Sequence, residues 1–249
     1  MGDAIVNGSA TLERLAVRAA ELVRGSTGLA GPASDAEIAA YDFRMWDQQQ
    51  RARRERRSAV LDRELPGELS RDGRRAVVHE IQPHTLACDL VLSWASRAAA
   101  GAAPPALAMV GERGIGKTVA AAWWIADTDG RYVLSTEVVR LWRAKDSFGR
   151  EAAADRQRFE SLKRSRVLAI DEVGGERHER ADVLGAIEEI VNARQSERTR
   201  TLWLGNITAG QWRDRLTSRA ASRWDEVGFT LEMSSRLDMR RHVRPSRLR

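Results

Sequence analysis

An α/β fold, a parallel sheet with helices on both faces, is what this sequence predicts, and three observations predict it. A glycine-rich loop stands between an apolar run and a helix-forming run across residues 106–126. A second apolar run ends in two acids, Asp171 and Glu172. From residue 106 onward, short apolar runs alternate with helical patterns, which is the signature of parallel strands joined by crossover helices.

Taken in order, the chain begins with a helix from Thr11 to Arg24, where Leu12, Leu15, Ala16, Ala19, Leu22 and Val23 share one face. Gly25 to Pro32 breaks it. Ser34 with Glu37 has the form of a capping box and opens a second helix, with Ile38, Tyr41, Met45 and Trp46 on one side. From Gln48 that stripe gives way to Arg51-Ala52-Arg53-Arg54-Glu55-Arg56-Arg57, a polar helical stretch that is either solvated or laid against something acidic. Pro66-Gly67 and Asp72-Gly73 read as a linker, which puts a domain boundary near Arg71 to Ala76. The expected organisation is a helical partner-binding region over 1–75, an α/β domain over 76–241 and a basic tail over 242–249. Within the α/β domain the pattern predicts a helix from His84 to Arg97, then strands at Ala106 to Val110, Tyr132 to Ser135, Val167 to Ile170 and Thr201 to Leu204. Helices are expected at Val119 to Ala126, from Glu137, in a polar stretch before Arg166, and at Ala181 to Arg194.

Bulk properties narrow the function classes. A chain of 249 residues with 43% hydrophobic content can hold one such domain plus an appendage. No apolar stretch is long enough to span a bilayer and no signal-peptide pattern opens the chain, so the expectation is a cytoplasmic protein with no membrane partner. The single cysteine, Cys88, rules out an intramolecular disulfide or a cysteine-based zinc cluster. Basic residues outnumber acidic ones by 41 to 35, nearly all of them arginine, which permits nucleic acid as a partner.

The chemistry concentrates in three segments. Gly111-Glu112-Arg113-Gly114-Ile115-Gly116-Lys117-Thr118 matches G-x-x-x-x-G-K-[ST] in full. Its glycines let successive N–H groups point at phosphate oxygens, Lys117 adds a mobile positive charge, and the Thr118 hydroxyl can ligate Mg²⁺. The following helix presents its N-terminus to the same anion. Asp171 and Glu172 fall at the C-terminal edge of a strand, beside that loop in a parallel sheet, as in a Walker B element. Asp171 would hold Mg²⁺ through water and Glu172 would orient and deprotonate an attacking water. Leu202-Trp203-Leu204-Gly205-Asn206 closes another strand on an amide, Asn206, placed either to sense a γ-phosphate or to cap a turn.

The order GERGIGKT, VLAIDEVG, AIEEIVNARQ, TLWLGNIT, ASRW and LDMRR resembles the AAA+ ATPases of the bacterial helicase-loader group, the DnaC family, and their transposition relative IstB. The resemblance covers roughly Ile81 to Arg241. It implies ATP and Mg²⁺ as cofactors, homo-oligomerisation in the ATP state, DNA in single- or double-stranded form, and either a replicative helicase or a transposase as protein partner. It also implies an arginine finger in a Ser-Arg motif, matched by Ser222-Arg223 with Ser218-Arg219 close by, and a sensor-2 arginine, Arg240, in Asp238-Met239-Arg240. The glutamate of Asp171-Glu172 follows the broader AAA+ pattern where family members often carry Asp-Asp. A nucleotide-gated adaptor with negligible turnover would share every one of these motifs.

Two arginine clusters, Arg51 to Arg57 and the tail from Arg240 to Arg249, could neutralise phosphates along DNA, or stand as solvated faces. Trp123, Trp124, Trp142, Trp203, Trp212 and Trp224 lie in helix and strand patterns that favour core packing over base stacking.

Overall fold

The computed structural model describes residues 35–80 and 86–234. The expected first helix, the tail and Arg240 lie outside the described residues. Two compact units divide the chain at Arg53/Arg54.

In the N-terminal unit the described residues all belong to one helix, α1 (Asp35–Glu64), which the expected stripe opens. Tyr41, Phe43 and Trp46 are exposed on it, with the Phe43 and Trp46 rings 5.9 Å apart.

The larger unit is the expected α/β domain. Five strands, β1 (Ala106–Gly111), β2 (Arg131–Leu134), β3 (Val167–Val173), β4 (Arg200–Gly205) and β5 (Gly228–Met233), form one all-parallel sheet in the order β2-β3-β4-β1-β5. Parallel strands need crossover connections, and helices supply them. One face is covered by α2 (Arg71–Val78), α3 (Leu86–Ala99) and α4 (Lys117–Thr128). The other is covered by α5 (Ser135–Arg143), α6 (Arg150–Arg164), α7 (Arg180–Ser196), α8 (Ala209–Arg213) and α9 (Ser218–Val227). Strand periodicity sorts the side chains between the two cores. Val167 and Ala169 join the α4 side, while Leu168 and Ile170 join the opposite one, so Asp171 next in register falls on the face that carries α4.

Residues 54–80 pack with the α/β unit, whereas the sequence placed a domain boundary near 71–76. Val60, Leu61, Leu65 and Val77 are buried in the core beneath α4. Arg57, expected in a solvated or DNA-facing run, is 2% exposed. Its guanidinium pairs with Asp127 at 2.7 Å and Glu80 at 2.9 Å, and stands 4.8 Å from the Trp123 ring centroid. Arg57 is therefore withdrawn from any DNA-facing cluster, because acids distant in sequence pair with it inside the fold.

Trp123, Trp124, Trp203, Trp212 and Trp224 are buried as expected, whereas Trp142 is half-buried; Cys88 is buried. No described helix is long and apolar enough to cross a membrane.

Candidate functional site

The glycine loop joins β1 to α4 and is shaped by backbone that only glycine adopts freely. Gly111 has φ 126°, and a Cβ there would lie 1.9 Å from the carbonyl oxygen of Met233 on β5. Gly116, at φ 89°, is the N-cap of α4, and no side chain caps the helix. The first amides of α4 are thus left to an external acceptor, and the helix dipole makes that acceptor an anion.

Lys117 folds back over this loop. Its ammonium donates to the carbonyls of Gly111 at 3.0 Å and Glu112 at 2.6 Å, and to Oδ1 of Asn206 at 3.0 Å. Asn206 directly follows β4, which lies between β3 and β1, so the sheet order brings its amide to the mouth of the loop. Glu112, Arg113 and Asn206 are exposed, and Ile115 is buried beneath the loop.

Asp171 closes the other side. It is 4% exposed, and its carboxylate accepts three hydrogen bonds: Thr118 Oγ1 to Oδ2 at 2.7 Å, Tyr132 OH to Oδ2 at 3.0 Å, and its neighbour's amide, Glu172 N, to Oδ1 at 2.7 Å. The Thr118 and Asp171 side chains, assigned to Mg²⁺ from sequence, are therefore in direct contact. Glu172 is exposed and has φ 58°, an unusual conformation for a residue with a side chain and one that clusters at functional sites. A hydroxyl beside one carboxylate suits Mg²⁺, which takes few protein ligands and otherwise uses phosphate and water. No group of three or more His, Cys, Asp or Glu able to hold a metal occurs among the described residues.

Three residues around this centre, Tyr132, Glu68 and Glu176, carried no signal in the sequence. Burial first, and the Asp171 carboxylate second, push the Tyr132 phenol far above its usual range and keep it a donor. Burial, then the negative charges of Glu172 and Asp171, raise the carboxyl of Glu68 above its usual range, so the turn after α1 adds acidity to this corner. Glu176, with a side chain 1% exposed, accepts from Ser135 Oγ and from Gly174 N, and lies 3.6 Å from Arg215, anchoring the loop that leaves β3. Apart from the Gly174 amide, these partners are distant in sequence, so only the folded sheet edge reveals them.

The two candidate finger arginines sit one turn apart on α9. Arg219 is exposed, whereas Arg223 is half-buried and donates to Gln195 Oε1 at the end of α7.

No protein-family model matches the chain, and no curated protein matches it. Among solved structures it is similar to the DnaC helicase loader at 19% identity, over 66% of this chain and 100% of that one, with TM-score 0.49. DnaI is similar at 19% identity over 68% of this chain and 94% of that one, with TM-score 0.47. A putative primosome component from Streptococcus pyogenes serotype M3 is similar at 15% identity over 71% and 96%, with TM-score 0.48.

Proposed function

We propose that the chain is a DNA-associated AAA+ ATPase that acts as a helicase loader in DNA replication, hydrolysing ATP at the contact between subunits. The observation that carries this reading is the convergence of three separate strand ends on one loop: the amides of Gly111 to Thr118, the Asp171 carboxylate bonded to Thr118, and Asn206 bonded to Lys117. In this reading the loop amides and Lys117 bind the triphosphate, displacing Lys117 from its carbonyl partners. Thr118 and Asp171 would hold Mg²⁺, which when bound neutralises charge developing on the phosphoryl oxygens. Glu172 takes the proton of the attacking water, and Asn206 fixes the position of that water or of the terminal phosphate.

In this reading an arginine brought by a neighbouring subunit completes the electrostatics of the loop. Such a residue raises phosphoryl-transfer rates by about 10³ to 10⁵ fold. We assign that part to Arg223, by its place in the Ser-Arg motif, with Arg219 as the exposed alternative, and assign the second sensor to Arg240.

Single-stranded DNA is favoured over duplex as the assembly track. Phe148 is 99% exposed at the tip of the loop before α6, between Lys145 and Arg150, and Lys145 Nζ stands 3.7 Å over the Trp142 ring. An exposed aromatic flanked by cations matches the chemistry of base stacking with phosphate contact. This supports the loader reading over a transposition helper.

The test is ATP hydrolysis measured against protein concentration, with and without single-stranded and duplex DNA. Turnover should rise with both protein and single-stranded DNA. A full rate in dilute monomer, indifferent to DNA, would overturn the proposal.

A further inference from the structure

The acid pair is held from behind by residues that no motif contains. Tyr132 lies on β2, the edge strand of the sheet, paired with Ala169 two positions before the pairing Leu134↔Asp171. Its ring is buried against the α4 face, and its hydroxyl reaches Oδ2 of Asp171, the same oxygen that accepts from Thr118. The opposite oxygen of Asp171 accepts the backbone N–H of Glu172. One carboxylate thus has its rotamer set by Tyr132 and in turn props the left-handed backbone of Glu172, the proposed base.

Tyr132 is itself anchored. Its outward N–H, which an edge strand would otherwise leave open, donates to Glu64 Oε2 at 3.1 Å. Glu64 is the last residue of α1; its side chain is 5% exposed, and its other oxygen accepts from Arg131 and Arg63. A continuous line of hydrogen bonds therefore runs from the end of α1 through Tyr132 and Asp171 to the backbone of Glu172.

We infer that Tyr132 is a positioning residue for ATP hydrolysis, fixing Asp171 and through it Glu172, with Glu64 holding Tyr132 in place. The inference rests on the ATPase reading above. Tyr132 does not touch nucleotide; it limits the freedom of the carboxylate that must meet Mg²⁺ on the side shared with Thr118. Partners that orient a metal-binding side chain are worth about 10 to 100 fold in metal affinity or activity when removed.

The test is Tyr132→Phe, which keeps the ring and removes only the donor. ATP binding by the full chain without Mg²⁺ should stay within about threefold of wild type, because the loop amides and Lys117 are untouched. The Mg²⁺ concentration for half-maximal turnover should rise and turnover at saturating Mg²⁺ should fall, together by about 10 to 100 fold. In an Asp171→Asn background the same change should add nothing, since both alterations break one line of contacts. A merely structural role would lower the melting temperature and leave the Mg²⁺ dependence alone. Should Tyr132→Phe fail to fold, Glu64→Gln loosens the anchor together with its pairs to Arg63 and Arg131, leaves the Tyr132 hydroxyl in place, and should move the Mg²⁺ requirement in the same direction. Wild-type turnover with an unchanged Mg²⁺ profile in whichever of these variants folds would overturn the inference while leaving the ATPase reading intact. Absence of ATP binding in the wild type would overturn both.

Discussion

Replacing Arg194 by Met separates what holds the fold from what performs the chemistry. Arg194 is 3% exposed near the N-terminal edge of the sheet, away from the glycine loop. Nη1 donates to the carbonyls of Leu162 at 3.0 Å, Lys163 at 3.1 Å and Ser165 at 2.8 Å, Nη2 to the carbonyl of Arg200 at 2.8 Å, and Nε to Thr201 Oγ1 at 2.6 Å. The side chain thus satisfies carbonyls that the end of α6 leaves open, puts positive charge at that helix's negative pole, and ties in the first residues of β4. Met has similar length and no donor, so the carbonyls of Leu162, Lys163, Ser165 and Arg200 each lose a donor, that of Leu162 keeping the Ser165 hydroxyl. At about 1–3 kcal/mol for each orphaned group, and with non-additivity as neighbours relax and water enters, the expected loss is about 3–5 kcal/mol. For a domain of this size that corresponds to a melting temperature lower by about 6–20 °C. Burial pushes the Arg194 pKa down to about 10, below its unfolded value, so the folded state releases this proton before the unfolded chain does. Taken alone, the group makes stability rise with pH between those two values and leaves it flat near neutrality, where the side chain is charged in both states. The difference between wild type and variant should therefore be constant from about pH 6 to 8. Thermal melts and urea midpoints measure it, and ATP affinity of the folded variant should match wild type. A melting temperature within about 2 °C of wild type would refute the accounting.

Other substitutions probe the site and the unit boundary. Glu172→Gln should keep ATP binding and lower turnover by about 10² to 10⁴ fold, read as single-turnover hydrolysis; unchanged turnover would remove Glu172 as the base. Arg223→Ala should spare nucleotide binding and abolish the rise in turnover with protein concentration, while Arg219→Ala leaves that rise in place; the reverse pattern moves the finger to Arg219. Asn206→Ala frees one of the Lys117 partners, so ATP affinity should be kept or tightened while turnover falls, and a loss of affinity alone would argue against a sensing role. Leu61→Ala should destabilise the α/β unit by about 2–5 kcal/mol because Leu61 is wholly buried there, whereas Phe43→Ala, on the exposed stretch of the same helix, should leave its melting temperature unchanged.

The parts of the structure that could be read in the sequence share one property: their determinants are local. The loop needs glycines within eight residues, and the strands β1 to β4 each bury an unbroken apolar run, so spacing and composition suffice. β5 escaped that reading because Gly228–Met233 is an edge strand that follows α9 directly, with only Met233 buried and Thr230 and Glu232 breaking any apolar run. Its existence depends on pairing with β1, a partner more than a hundred residues away. Arg57 is the same lesson in charge. Within Arg51 to Arg57 it is indistinguishable from its neighbours, and only Asp127, Glu80 and Trp123 single it out as a buried cation.

That distinction also explains where the chemistry was legible and where it was not. Thr118, Asp171 and Asn206 could be placed because each ends or begins an element beside a strand terminus, and the alternation of strands and helices sends those termini to one edge of a parallel sheet. Tyr132 and Glu68 approach the same acids from β2 and from the turn after α1, positions whose residue types carry no motif and whose proximity requires both the edge location of β2 and the packing of residues 54–80 on the core. Asp171 and Glu172, with Glu68 nearby, concentrate negative charge that Mg²⁺ would offset in the proposed site. Substituting Glu68 by Gln should accordingly weaken Mg²⁺ binding in the ATP complex without altering metal-free ATP affinity. An unchanged Mg²⁺ requirement in that variant would show that the third carboxylate lies too far from the metal to be felt.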